Sequence, residues 1–420
     1  MKPVPRKMVL MATNSINQVW TIRWVKAIQE VPQKSWDRLA VPLRTPLLEW
    51  QWLHDLEASG SIAHQNGWYP CHLTLWSGDR LRAAAPLYIK THSQGEFVFD
   101  HWLVELSRNN GIHYYPKMVG MSPATPAEGY RFLIDDGLDR LSVVQTMLGA
   151  IDRLCEKLGI SVCQFNFVAA QWLEPFSQAN FLRWNHLGYL WRNPGYADFN
   201  DYLKPFKSSQ RRNIRREVNR IKKAGLRIVP LRGNDIPCHL AAVMYDYYLR
   251  TNAQYGPWAA RYLNAEFFKR IFDRYRHRLL VMAAYGAGHE QVPLALSLLL
   301  VKGHHLIGRY WGCAEQVKDL HFNMCFYAPI RWAIANGIET FDPGAGSPHK
   351  IYRGFKATAN TSVHRFYNPQ LKFLFQRLVG EANRMTKSSI SQLNMQLPFA
   401  QSNETPVSGS GSSENRLGDI

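Results

Sequence analysis

Residues 294–313 read LALSLLLVKGHHLIGRYWGC, and residues 338–355 read IETFDPGAGSPHKIYRGF. The first segment carries an apolar run from Leu294 to Leu300, a turn at Lys302-Gly303-His304, and a second run from Leu306 to Gly312. That pattern predicts a β-hairpin. Between the two segments, Leu320 to Asn336 places Phe322, Cys325, Phe326, Ile330, Ala333 and Ile334 at near-helical spacing. Gly337 stops that helix, because glycine accepts the left-handed cap conformation. A short strand, Ile338 to Phe341, then enters the loop Asp342-Pro343-Gly344-Ala345-Gly346, followed by His349, Lys350 and Arg353. Strand ends that feed glycine loops with charged residues are where α/β proteins place their sites.

Working outward, the 420 residues suffice for one or two sizeable domains. The charge is strongly positive, 50 Lys and Arg against 32 Asp and Glu, a net +18. Such an excess favours an anionic partner: nucleic acid, a phosphorylated donor or an acidic membrane surface. Six scattered cysteines without a C-x-x-C pair read as buried free thiols in a reducing cytoplasm, with no metal site. No apolar run reaches transmembrane length, and no signal-peptide core is present. These features place the protein in the cytoplasm.

Residues 1–17 read as a mobile basic arm and Ile22 to Gly60 as helix-rich. Residues 71–90 read as a hairpin, Leu138 to Leu158 as an amphipathic helix and Gly159 to Phe167 as a buried strand. Lys157-Leu158-Gly159-Ile160 before its strand parallels Ala335-Asn336-Gly337-Ile338 before the later one. Ala85-Pro86-Leu87 likewise parallels Val292-Pro293-Leu294. This long repeat predicts two related α/β halves, 18–200 and 201–378, with a cleft between them suited to a ligand. Residues 379–420, rich in Ser, Asn, Gln and Gly, read as a disordered tail.

The most basic segment, within 204–227, predicts a helix over 207–224 with Ile214, Val218 and Ile221 on its apolar face. Arg211 and Arg212 fall near its positive end, where cations are unfavourable. An anion bound there is one reading; a solvated basic face is the other. The tyrosines and phenylalanines of 239–275 are either stacking platforms or core residues at helical spacing. Arg309 to Ala314 fits an R-x-x-G-x-A phosphate loop. The following helix begins too late for its N-terminus to meet phosphate, so the match reads as accidental.

The succession of blocks resembles a known family. Lys207 to Glu217 gives K-x-x-x-R-R-x-x-R-R-E, Gly308 to Gly312 gives G-R-Y-W-G, Trp332 to Gly337 gives W-A-x-x-N-G, and Phe341 to Gly344 gives F-D-P-G. Together with His92–Asp100 and Tyr114–Lys117, these resemble the FemAB-like predicted N-acyltransferases. The resemblance implies two tandem GNAT-like domains, each a mixed sheet flanked by helices. It implies transfer of an acyl or aminoacyl group from a phosphate-bearing donor, acyl-CoA or aminoacyl-tRNA, to an amine acceptor in cell-envelope metabolism. No tightly held cofactor is implied. In GNAT-like folds a backbone amide on the splayed fourth strand, here Leu306 to Trp311, polarises the carbonyl.

Amide formation also needs a proton route. His349 and Asp342 are the first candidates, and Glu96 the second. Arg309, Tyr310, Lys350 and Arg353, with Tyr115, Lys117, Arg211 and Arg212, are candidates for holding substrate. Asp342 reads equally as an Asx turn, and His349 as an exposed loop histidine. The rival reading is a non-catalytic RNA- or membrane-surface-binding protein built on a decayed transferase fold.

Overall fold

The computed structural model describes residues 10–13, 19–256 and 259–400. The first half contributes ten strands. These are β1 (Leu10–Thr13), β2 (Val19–Val25), β3 (Trp68–Pro70), β4 (His72–Ser77), β5 (Arg80–Ala85), β6 (Leu87–Lys90), β7 (Lys117–Gly120), β8 (Leu133–Ile134), β9 (Val162–Phe165) and β10 (Leu182–Arg192). The second half contributes six: β11 (Arg227–Arg232), β12 (Leu279–Tyr285), β13 (Ala295–Lys302), β14 (His305–Cys313), β15 (Thr340–Asp342) and β16 (Lys356–Phe366).

Eleven of these make one sheet, ordered β11-β12-β13-β14-β15-β10-β16-β9-β7-β6-β3. A second sheet runs β1-β2-β4-β5-β8. The two halves repeat one motif. An antiparallel hairpin, β6–β7 or β13–β14, is followed by a long helix and a strand that pairs in parallel, β7 with β9 and β14 with β15. The sequence parallels fall at equivalent strands: Ala85-Pro86-Leu87 leads into β6 and Val292-Pro293-Leu294 into β13, as Gly159 and Gly337 precede β9 and β15. These elements form two tandem GNAT-like units. They exchange their last strands: β10 pairs with β15 of the second half, and β16 inserts between β10 and β9 of the first.

Local chemistry accounts for the central elements. Every residue of β13 is buried. Leu296, Leu298 and Leu300 face one core while Ala295, Leu299 and Val301 face another. A strand buried on both faces reads as a continuous apolar run. The helix after β14 starts at Leu320 and passes through a π-turn, Asn323–Tyr327, before continuing from Ala328 to Ala335. π-turns inside helices concentrate at functional sites.

Two expectations are corrected. Residues 19–25 form a strand, which takes in 22–25, the start of the segment expected to be helix-rich. Alternating apolar residues at Trp20, Ile22 and Trp24 outweighed the helical reading. The tail does not start at residue 379, because one helix runs from Pro369 to Met395. Its apolar Leu371, Phe375 and Val379 pack on the core, and Asn383 and Asn394 bond to β10 and β16 backbone. The rest of the expected tail, 401–420, and most of the expected basic arm lie outside the described residues. No described helix is long and apolar enough to cross a membrane.

Candidate active site

The site begins with a divergence of strands. β14 pairs with β15 only from His305 to Ile307, against Thr340 to Asp342. β15 then ends, while β14 continues to Cys313. From Gly308 onward a wedge is left between the two chain segments. Opposite, the β13–β14 register slips between Leu298 and Leu299, so Arg309 is an extra residue in β14. A bulge of this kind takes one residue out of the ladder and re-aims its side chain.

The wedge opens into a cavity of about 340 Å³. Gly308 to Trp311 and the loop Pro343–Ser347 line it, together with His349, Lys350, Cys325 and Phe326. Tyr248 and Tyr262 wall it from the helical side; Phe97 and Ala124 reach it from the first half. Phe97 and Ala124 both hold left-handed backbone, φ +57° and +52°. Strain in non-glycine residues clusters at ligand-binding positions. The corresponding wedge in the first half is closed. Tyr130 lies over Gly120, its hydroxyl oxygen 2.2 Å from where a Cβ would stand, and donates to Pro86 O.

Arg309 spans the two halves, its Nη2 donating to Ala124 O at 2.7 Å and to the Tyr310 hydroxyl at 3.0 Å. Its buried Nε has no hydrogen-bond partner among the described residues. His349 stands in the 3₁₀ turn Pro348–Arg353, its ring 5.4 Å from Phe322 and 5.7 Å from Phe326. The His349 Nε2 is likewise buried and unpartnered. Burial, reinforced by Arg353 and Lys350, pulls its pKa down to about 4, so the imidazole is neutral at pH 7. Lys350 donates to Gly344 O at 2.6 Å and Ala345 O at 2.8 Å, tying the glycine loop in place. Burial lowers its pKa to about 8, with Asp342 opposing the shift.

Asp342 does form an Asx turn, its Oδ1 accepting from Gly344 N at 2.8 Å. Burial holds its carboxyl above the usual range, with Lys350 and Arg309 pulling the other way. It does not line the first cavity. It borders a second one, about 460 Å³, lined also by Arg44, Glu128, Arg131, Arg192 and His305.

The remaining candidates fall elsewhere. Arg353 is buried in an ion pair with Glu217 (3.0 Å) and stacks 3.6 Å above the Phe322 ring. Its charge is committed inside the protein, so it does not meet a donor at the cavity. Glu96 and Lys117 are fully buried. Lys117 contacts Glu96 at 2.8 Å, Asp100 at 2.6 Å and Ser93, whose hydroxyl meets that of Tyr115. Burial raises the Glu96 pKa. This cluster sits behind Phe97, and anchors the wall instead of facing the cavity. Arg211 donates to Lys204 O and Phe206 O, carbonyls just past the short helix Phe199–Leu203. The misplaced cation thus has an internal explanation that needs no bound anion. Arg212 is exposed on the basic helix Ser208–Lys223 and lines neither cavity.

Sequence reasoning missed Phe97, Ala124, Tyr248, Tyr262 and Cys325. The two tyrosines carried a signal in the aromatic run at 239–275. Phe97 falls within the His92–Asp100 block, yet no local pattern marks its positive φ or that of Ala124.

Residues 27–401 match the FemAB-like family, described as peptidoglycan biosynthesis/recognition. The chain belongs to this family. No curated protein matches in sequence. Among solved structures, FemX superposes with a TM-score of 0.51 at 11% identity, covering 83% of this chain and 98% of FemX. L-PGS from Bacillus licheniformis gives 0.45 at 10% identity, covering 82% and 97% of the two chains. A tandem GNAT protein from the clavulanic acid biosynthesis pathway gives 0.42 at 12%, covering 83% and 99%. The FemX superposition supports the fold, and FemAB-like membership makes the chain an acyl- or aminoacyl-transferase of cell-envelope metabolism.

Proposed function

We propose that this FemAB-like protein moves an acyl or aminoacyl group from a phosphate-bearing donor to an amine, with the donor's reacting end in the β14–β15 wedge. One observation carries the reading. Where β15 leaves β14, the bulged Arg309, the neutral His349 and the cationic Lys350 converge on one cavity. Arg309 and Lys350 suit the donor's phosphate or its developing oxyanion. His349 Nε2, with no partner of its own, can take the proton released as the amine attacks the carbonyl. The bond formed is the amide. The bond broken is the donor's ester or thioester, and the leaving group departs with its electron pair and a proton.

The amine would come from the second cavity, where Asp342 and Glu128 offer carboxyl groups to an ammonium and Arg44, Arg131 and Arg192 to an anionic neighbour. Acyl-CoA and aminoacyl-tRNA both meet the donor chemistry, with neither held as a resident cofactor. The test is incubation with each donor class and an amine-bearing cell-wall peptide, followed by mass analysis of the peptide. A mass increment whose rate of formation His349→Ala lowers by roughly 10²-fold supports the reading. Binding of donors without any transfer would favour a binding protein on a decayed transferase fold.

A further inference from the structure

A third cavity shares no lining residue with the two assigned to the transfer chemistry. About 580 Å³ in volume, it lies between the basic helix Ser208–Lys223, the strand β11 and the helical segment Ala328–Ala335. The lining is largely aliphatic: Val218, Ile221, Leu226, Ile228, Met282 and Ala335 among others. Lys222, Arg227 and Arg331 also line it, and no carboxylate does. The one acid of the basic helix, Glu217, is turned inward onto Arg353 and the Tyr327 hydroxyl, so it does not neutralise these cations. An apolar hollow left open to solvent is unfavourable unless something fills it. Its size falls within the usual range of ligand sites.

The chemistry narrows the occupant. A polypeptide strand added to β11 is disfavoured, because Pro230 lacks a donor and Arg227 and Arg232 flank it on this sheet edge. RNA would use the cations but not the aliphatic lining, since bases stack on aromatic faces. Of the aromatic rings there, Trp332 is already covered by Arg232, and the Tyr327 hydroxyl is bonded to Glu217. We infer that this cavity takes an acyl chain of an anionic phospholipid, with Lys222, Arg227 and Arg331 on the headgroup phosphate. The exposed arginines and lysines of the basic helix, among them Arg215, Arg216 and Lys223, would then lie against the same negative surface. Chain burial and cation attraction are the two contributions that together make a peripheral attachment stable.

The experiment measures sedimentation of the full chain with vesicles of phosphatidylglycerol in phosphatidylcholine, and with phosphatidylcholine alone. It needs no transfer substrate, so its outcome is separable from that of the proposed reaction. Binding to the anionic vesicles only is expected. Replacing Lys222, Arg227 and Arg331 together by Ala should weaken it about 100-fold, at roughly fivefold per cation. Ala328→Trp and Ala335→Trp, which fill the hollow without changing charge, should each weaken it at least tenfold. Thermal unfolding checks that each variant is folded. Soluble dihexanoyl-phosphatidylglycerol should bind once per chain, and the Trp variants should lose that binding. Two outcomes overturn the proposal. One is unchanged vesicle binding in both folded Trp variants, which would leave surface charge alone. The other is saturable binding of tRNA, sensitive to the same three cations, with none to phosphatidylglycerol.

Discussion

Arg309 in the second half donates to the carbonyl of Ala124 in the first, 2.7 Å away and 185 residues earlier in the chain. The bond joins a bulged strand residue to one held at positive φ, so each stabilises the other's unusual geometry. Arg309→Ala should therefore release the Ala124 wall and remove a cation together. We expect donor affinity to fall at least tenfold and stability by about 1.5–3 kcal/mol, the range for a hydrogen bond to a charged group. Arg309→Lys should restore little, because a lysine cannot reproduce the guanidinium fork. Donor titration and urea unfolding of the two variants measure both effects.

His349→Ala should lower turnover by roughly 10²-fold while leaving donor affinity close to that of the unmodified chain. The imidazole is depressed to about 4, so it stays neutral across the physiological range. Turnover should accordingly be insensitive to His349 ionisation above about pH 5 and fall below it as the base is protonated. A His349 limb that begins near pH 7 would assign the proton to another group.

Lys350 loses its charge near pH 8 in the free protein. If it holds an anionic donor, affinity should decline as pH rises through that value, and Lys350→Met should flatten the profile. Its folded pKa is lowered by burial below the ordinary lysine value. Burying it therefore destabilises the charged form, and this effect weakens as pH rises through the range between the two values. Donor dissociation constants at pH 6.5 and 9 separate the variant from the unmodified chain.

Arg353→Ala should act on stability and not directly on donor binding. It strands Glu217 in a buried position, where loss of one ion-pair partner costs about 3–5 kcal/mol. Replacing Glu217 and Arg353 together by Gln and Met should cost much less than either partner alone. Thermal melts of the single and double variants form the cycle. Donor binding by the folded double variant, equal to that of the unmodified chain, would confirm that Arg353 contributes no contact.

Gly312→Ala should be severely disruptive, because its Cβ would stand 2.3 Å from the carbonyl oxygen of Tyr247 on the packed helix Leu240–Ala253. A backbone atom cannot yield as a side chain would, and β14 would have to shift. Reduced soluble yield and a lowered melting point are the expected readings.

The sequence carried much of this in local patterns. The β13–β14 hairpin, the helix after it and the glycine loop were legible because their apolar periods and turn residues are contiguous. The same segment carries Arg309, His349 and Lys350, which line one cavity, but also Asp342, which borders the other, and Arg353, which lines neither. What escaped depended on distant chain. Arg353 and Lys117 resemble ligand-binding cations until Glu217 and the Glu96–Asp100 pair are seen to neutralise them. Arg211 sits at the wrong end of a helix dipole until the carbonyls beyond the preceding helix supply its partners. The π-turn at Asn323–Tyr327, which places Cys325 and Phe326 at the wedge, has no compositional mark.

The exchanged strands set the order in which the molecule can be made. β16 begins at Lys356, yet it pairs with β9 and so completes the sheet of the first half. Domains ordinarily fold as they leave the ribosome, the N-terminal one first. Here the N-terminal unit waits with an unpaired edge at β9 until almost the whole chain has been synthesised. A nascent chain halted near residue 200 exposes that edge, and expressing the first half alone should give aggregates. Co-expression with a separate 201–400 fragment should recover soluble protein, because that fragment supplies the missing strand.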